Sequence, residues 1–166
     1  GTNNLKDPAM TDGDIAQGVG AAAAQLLRAV APPSSVAAPA AAAVLVLALL
    51  PRHGLRHEPS ARVRRRVENI NAAVAELVAS RDDPRLAFLD CGAVFLNGGG
   101  EGEREKEGKV EGGSAYRSSR EGEGEDTGRP YDINPELMPD FLHPSAKGYH
   151  KMFSECLIPA IRRFEL

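Results

Sequence analysis

The sequence predicts an α/β domain built around a parallel sheet. Residues 43–50 form a continuous apolar run without alternation, which is typical of a strand covered by helices on both faces. A second short apolar run lies at 86–90, and about 20 residues between the two carry apolar side chains at helical spacing. This β-α-β order predicts parallel neighbouring strands joined by a right-handed crossover. A buried helix is the alternative at 43–50, because short apolar runs define no period.

Length and charge narrow the classes of function. The chain has 166 residues, 42% of them hydrophobic, which suits one domain with a real core. Its net charge of −3 includes both signs, so nothing indicates nucleic-acid binding or a polybasic membrane patch. The longest apolar run, at 36–50, contains Pro39 and is too short to cross a membrane. We therefore expect neither a nucleic-acid partner nor an integral membrane segment.

The two cysteines, Cys91 and Cys156, lie far apart and lack the spacing of a metal site. We interpret them as separate thiols in a reducing compartment, which favours the cytoplasm; a single disulfide is the alternative.

The first predicted helix begins after a capping sequence. Thr11, Asp12 and Asp14 offer a cap and first-turn carboxylates, and the prolines at 32–33 end the segment. Its apolar residues at helical spacing are Ile15, Val19, Ala22, Leu26, Leu27 and Val30. An Ala/Pro-rich linker then leads to the first strand.

The helix between the strands is predicted at 61–80. Its buried stripe consists of Val63, Val67, Ile70, Val74, Leu77 and Val78. The arginines at 62–66 are interpreted as a solvated face, with a phosphate-binding patch as the alternative.

The second half of the chain contains a polar insert and a closing helix. Residues 98–129 are Gly, Glu, Arg, Lys and Ser with almost no apolar residue, which predicts a disordered surface loop inserted into the domain. The closing helix is predicted at about 145–164, with Pro144 at its first turn. Its expected buried face consists of Tyr149, Phe153, Leu157, Ile161 and Phe164.

The chemistry is concentrated where Asp140 precedes His143 by three residues. An aspartate can accept the Nδ1 proton of a neighbouring histidine and stabilise the imidazolium, which is two thirds of a hydrolytic triad. The alternative is a turn-forming aspartate beside an exposed loop histidine. A metal site at His53 and His57 is disfavoured, because Gly54 opposes helical geometry and no third ligand is apparent.

Four separated segments share a joint pattern. They are Gly1-Thr2-Asn3-Asn4; Leu49-Leu50-Pro51-Arg52 with Arg62 and Asn71; Phe88-Leu89-Asp90 with Phe95; and Asp140-Phe141-Leu142-His143-Pro144 with Gly148-Tyr149. Together they resemble the SGNH-type (GDSL) ester hydrolases, and most of all the catalytic subunits of the intracellular platelet-activating-factor acetylhydrolase. The resemblance covers nearly all of the chain outside the insert and implies a three-layer α/β/α, flavodoxin-like fold with a parallel sheet.

The resemblance implies a role for each site residue. His143 would be the general base, Asp140 its orienting partner and Asn3 a side-chain donor in the oxyanion hole. The implied reaction is hydrolysis of a small ester or lipid ester, an acetyl ester above all, without a cofactor or metal. Assembly into a homodimer or a heterodimer is compatible with the resemblance.

The chain departs from the family at the nucleophile. No serine stands in a Gly-Asp-Ser or Gly-x-Ser-x-Gly setting, and the family's second block is missing as well. We therefore expect residues 1–166 to form the C-terminal part of one SGNH-type domain, with the serine upstream. Alone, this part should be inactive, expose an apolar strand edge and apolar helix faces, and have low stability. The alternative is a non-catalytic remnant that pairs with partner subunits, which the absent serine supports.

Overall fold

The computed structural model describes residues 5, 7, 9–30, 43–54, 60–97 and 131–163. In chain order the elements are α1 (Asp12–Ala29), β1 (Val44–Leu47), α2 (Ser60–Ala79), β2 (Leu86–Leu89), a 3₁₀ helix (Gly92–Phe95), α3 (Ala146–Met152), a π turn (Phe153–Leu157) and α4 (Ile158–Arg163). The predicted β-α-β order is confirmed, since β1 and β2 pair in parallel with Val44 opposite Leu86. The protein is therefore a mixed α/β protein with a small parallel sheet, which has two strands within the described ranges.

Helix α1 begins with the predicted capping residues. The Thr11 hydroxyl accepts the Asp14 backbone N–H at 3.1 Å, and the Asp14 carboxylate accepts the Thr11 N–H at 2.9 Å. This reciprocal capping box satisfies two backbone donors at the helix start. The predicted stripe is only partly right: Ile15 and Leu27 are buried, whereas Leu26 and Val30 are exposed.

Helix α2 confirms its predicted stripe. Val63, Val67, Ile70, Val74 and Val78 are buried in a first core with β1, β2 and the inner face of α1, and Leu77 packs against it. One arginine of the 62–66 group is not part of a solvated face. The Arg66 guanidinium reaches Asp12 Oδ1 at 2.8 Å and donates to the carbonyls of Leu5 and Met10, so it fixes the start of α1 to α2.

A second core lies between the 3₁₀ helix and the C-terminal elements. Its buried residues are Cys91, Phe95, Ile133, Leu137, Met138, Met152 and Leu157. The interpretation of two separate thiols is wrong: Cys91 and Cys156 form a disulfide, with Cα atoms 5.7 Å apart. The two residues lie 65 positions apart in the sequence, Cys91 just after β2 and Cys156 in the π turn. Because stable disulfides are typical of oxidising compartments, this pairing removes the reason for favouring the cytoplasm.

The C-terminal elements α3, the π turn and α4 form one continuous helix at 146–163, as predicted, but of the predicted buried residues that the structure describes only Leu157 is buried. Tyr149, Phe153 and Ile161 are 49%, 50% and 39% exposed, whereas Met152 and Leu157 are buried. The π turn, Phe153–Leu157, adds one residue to a helical turn and so rotates the side chains that follow it, among them Ile161. Pro159 explains the π turn, because its ring has no N–H to donate to the Glu155 carbonyl and would crowd that group in an α-helix.

The residues on the two sides of the predicted insert are paired with each other. Leu96 and Ile133 form an antiparallel bridge, the Asn97 N–H donates to the Asp132 carbonyl, and the Asn97 amide donates to the Asp132 carboxylate. The insert predicted at 98–129 lies outside the described residues, as do the Ala/Pro-rich linker and Phe164.

No helix within the described ranges is both long enough and apolar enough to pass through a membrane.

Candidate active site in the Asp140–His143 loop

The Asp140–His143 loop lies between the second core and α3. Leu137 and Met138 are buried just before it, and the Phe141 N–H donates to the Met138 carbonyl at 3.0 Å. Phe141 has a φ of 56°, a left-handed conformation that a bulky side chain rarely adopts. The loop is therefore a tight reversal of the chain attached to buried residues at its N-terminal end.

Within the loop, one carboxylate binds both the backbone and the imidazole. Asp140 Oδ1 accepts the backbone N–H of His143 at 2.7 Å and that of Leu142 at 3.0 Å. Asp140 Oδ2 lies 2.6 Å from His143 Nδ1. The His143 backbone N–H, then the His143 side chain and the Leu142 N–H, lower the pKa of Asp140 from its usual 3.8 to about 2. Asp140 is therefore an ionised acceptor at neutral pH.

This geometry determines which nitrogen of His143 can act as a base. An ionised carboxylate only accepts hydrogen bonds, so the proton on the neutral ring is assigned to Nδ1. The Nε2 lone pair is then left to accept a proton from a reacting group. The side chains of His143 and Asp140 are 74% and 53% exposed, so Nε2 is accessible to a substrate and solvent screens the pair.

The C-terminal end of the loop is attached by the cap of α3. Ser145, and not Pro144, begins the helix: its hydroxyl accepts the Gly148 N–H at 3.1 Å and donates to the Glu136 carbonyl at 2.8 Å. Ser145 N–H also donates to the Leu137 carbonyl at 2.8 Å. These bonds hold the helix start against residues 136–137, two residues after His143.

The segment after β1 brings further residues to the carboxyl end of the sheet. Asn71 is buried in α2, where its side-chain amide pairs with Leu49, accepting from the N–H at 2.8 Å and donating to the carbonyl at 2.9 Å. Arg52 is also buried, 3% exposed. The next residue, His53, lies against Phe141 of the loop. The sequence analysis named Arg52 and Asn71 only as positions that resemble the family, and it predicted none of these contacts.

Two predicted parts of the site are not seen together with the Asp140–His143 pair. Asn3 and His57 lie outside the described residues. Among the serines that the structure does describe, every hydroxyl is bonded to nearby backbone: Ser60, Ser80, Ser145 and Ser154. The described part of the chain thus contains the hydrogen-bonded Asp140–His143 pair, without a serine bonded to His143.

Comparison of the chain with models of protein families found no match, and comparison with curated proteins found none either.

Proposed function

We propose that this protein is an ester hydrolase of the SGNH type in which His143 is the general base and Asp140 orients it. The observation that carries this is the 2.6 Å contact between His143 Nδ1 and Asp140 Oδ2, made by a carboxylate that two backbone N–H groups keep ionised. That contact leaves Nε2 as the proton acceptor, which is the tautomer that nucleophilic catalysis by a hydroxyl requires. A merely turn-forming aspartate would bond to backbone alone.

In this reaction His143 Nε2 takes the proton of a serine hydroxyl as the oxygen attacks an ester carbonyl. The imidazolium, stabilised by Asp140, then returns a proton to the departing alcohol, and water releases the acid from the acyl-enzyme in a second cycle. The Asn3 amide is the proposed donor to the developing oxyanion, a contribution worth about 3–4 kcal/mol in comparable sites. The serine would come from sequence upstream of residue 1.

The same proposal extends to the fold and the substrate. The described β-α-β unit would be part of a three-layer α/β/α, flavodoxin-like domain, in which ligands bind beyond the carboxyl ends of the strands. The loop after β1 and the Asp140–His143 loop meet through His53 and Phe141, as such a site requires. The proposed substrates are small esters or lipid esters, with acetyl esters favoured by the family resemblance alone.

The test is covalent labelling of the protein expressed from its full open reading frame. A fluorophosphonate should label its serine, and His143→Ala should abolish labelling because the hydroxyl then has no base. His150→Ala is the matched control, since His150 is exposed on α3 and should leave labelling unchanged. A folded full-length protein that does not react with the probe would refute the proposal.

A subunit-interaction module is the second candidate. Its supporting observation is the row of half-exposed apolar side chains on the C-terminal helix, Tyr149, Phe153, Ile158 and Ile161. Exposed apolar surface of this kind is typical of a contact with another polypeptide segment. A folded, unlabelled protein that forms a stable oligomer would favour this function over the hydrolase.

A further inference from the structure

The Asp140–His143 loop depends on an unfavourable backbone conformation. Phe141, at its centre, has a φ of 56°. For a bulky residue this conformation persists only where surrounding contacts hold it in place. The N–H groups of the next two residues, Leu142 and His143, are the ones that bond to Asp140 Oδ1. Whatever holds Phe141 therefore also holds the backbone donors of the site.

His53 supplies two of the contacts that hold Phe141. The two rings are stacked, with centroids 4.4 Å apart and planes inclined by 18°. The His53 backbone N–H also donates to the Phe141 carbonyl at 3.2 Å. The contact is long-range in sequence, because His53 follows β1 whereas Phe141 precedes α3.

The orientation of the His53 ring is itself determined by a neighbour. His53 Nε2 lies 2.9 Å from the Tyr131 carbonyl oxygen, which can only accept, so Nε2 carries the proton. Tyr131 in turn packs against both cores, and the Arg64 guanidinium lies over its ring at 5.2 Å from the centroid. The His53 ring is thus held at one edge by the bond to the Tyr131 carbonyl and on one face by the Phe141 ring.

We propose that His53 is a positioning residue of the active site: by stacking on Phe141 it keeps the loop in the conformation that brings Asp140 and His143 together. This rests on the hydrolase function proposed above, but it assigns His53 a role that does not involve contact with a substrate.

The test uses NMR of the protein expressed from its full open reading frame and reads the loop directly. The carboxyl carbon of Asp140 should titrate with a pKa of about 2, and His143 should show the Nδ1-protonated tautomer. In His53→Ala, Phe141 loses its stacking partner, so the Leu142 and His143 N–H groups turn away from Asp140. The Asp140 pKa should then rise toward its usual value of 3.8, and the Nδ1–H signal should be lost.

Three further variants separate positioning from a general loss of stability. His53→Phe keeps a stacked ring and should retain the low Asp140 pKa and the tautomer, although it loses the bond to Tyr131. His53→Leu fills the same space without a planar ring and should behave like His53→Ala, which covers the case in which the alanine variant does not fold. His150→Ala, on the exposed face of α3, should change neither signal.

A low Asp140 pKa that persists in folded His53→Ala or His53→Leu would overturn the positioning role. Loss of the low Asp140 pKa in His53→Phe would overturn it as well. None of these signals requires a nucleophile or a substrate. If the protein is not labelled but the His53 substitutions change the Asp140 pKa as expected, only the hydrolase proposal is refuted. If the protein is labelled but the His53 substitutions leave the Asp140 pKa unchanged, only the positioning role is refuted.

Discussion

Among the glycines whose surroundings the structure describes, Gly148 in α3 is the one where an added methyl group meets the closest atom, next to the Asp140–His143 loop. A Cβ atom on Gly148 would lie 2.3 Å from the Leu137 carbonyl oxygen, 3.1 Å from the Leu137 carbonyl carbon and 3.2 Å from Phe95. Ordinary carbon contacts lie at about 3.5 Å or more, so α3 would have to move by about 1 Å. The obstacle is mainly backbone, which cannot rotate away as a side chain can.

The expected loss of stability in Gly148→Ala is the sum of two destabilising effects and one stabilising effect. Overpacking of this kind costs about 1–3 kcal/mol, and here the upper end applies because backbone is involved. Displacing α3 also weakens the Ser145 N–H bond to the same Leu137 carbonyl, worth about 1 kcal/mol. Alanine in a helix recovers about 1 kcal/mol relative to glycine. We expect a net loss of about 2–3 kcal/mol in the free energy of unfolding.

Thermal and urea unfolding of the protein expressed from its full open reading frame measure this loss, which should lower Tm by roughly 5–10 °C. Gly18→Ala is the matched control: Gly18 is exposed on α1 and has no atom within 4 Å of an added Cβ. The same substitution there should raise stability by about 1 kcal/mol through helix propensity. If Gly148→Ala were as stable as Gly18→Ala, the close packing of α3 on residue 137 would be wrong.

Three further predictions concern the contacts that join the parts of the chain. Reducing the disulfide, or replacing Cys91 and Cys156 by serine, should lower the free energy of unfolding by about 4 kcal/mol, because a loop of this length is no longer closed in the unfolded chain; urea unfolding with and without reductant measures it. Arg66→Ala should cost about 2–3 kcal/mol through its lost charge-assisted bonds, whereas Arg62→Ala, on the exposed face of α2, should stay within about 0.5 kcal/mol; equal losses would contradict the anchoring role of Arg66. Replacing residues 98–130 by a short Gly/Ser linker should leave stability unchanged or raise it by up to about 2 kcal/mol, because the flanking residues are already paired; a large loss in thermal unfolding would show that the segment supports the fold.

The C-terminal helix shows where a periodic reading of sequence fails. Counting apolar residues at α-helical spacing selected Tyr149, Phe153 and Leu157, but of these three only Leu157 is buried, together with Gly148 and Met152. Met152 and Leu157 are five residues apart, which is the spacing of a π turn. Pro159 is the signal that was present and not used, because a proline inside a helix requires some adjustment of the turn before it.

The Asp140–His143 pair could be predicted because its geometry is local. Three residues separate the carboxylate from the imidazole, and a tight turn is enough to bring them to 2.6 Å. The stack of His53 on Phe141 joins segments 88 residues apart in numbering, and no local pattern contains it. The same holds for Asn71, whose amide pairs with Leu49 across 22 positions.

The sequence by itself determined the elements whose cause is local: the capped start of α1, the apolar stripe of α2, the order of two parallel strands around it, and the acid–base pair in its short loop. Tertiary structure alone decided the Cys91–Cys156 disulfide, the anchoring of Arg66 and the contact that holds Phe141. The physical reason is the range of the interactions. Capping, periodicity and tight turns act within a few residues, whereas packing depends on which surfaces meet after the chain has folded.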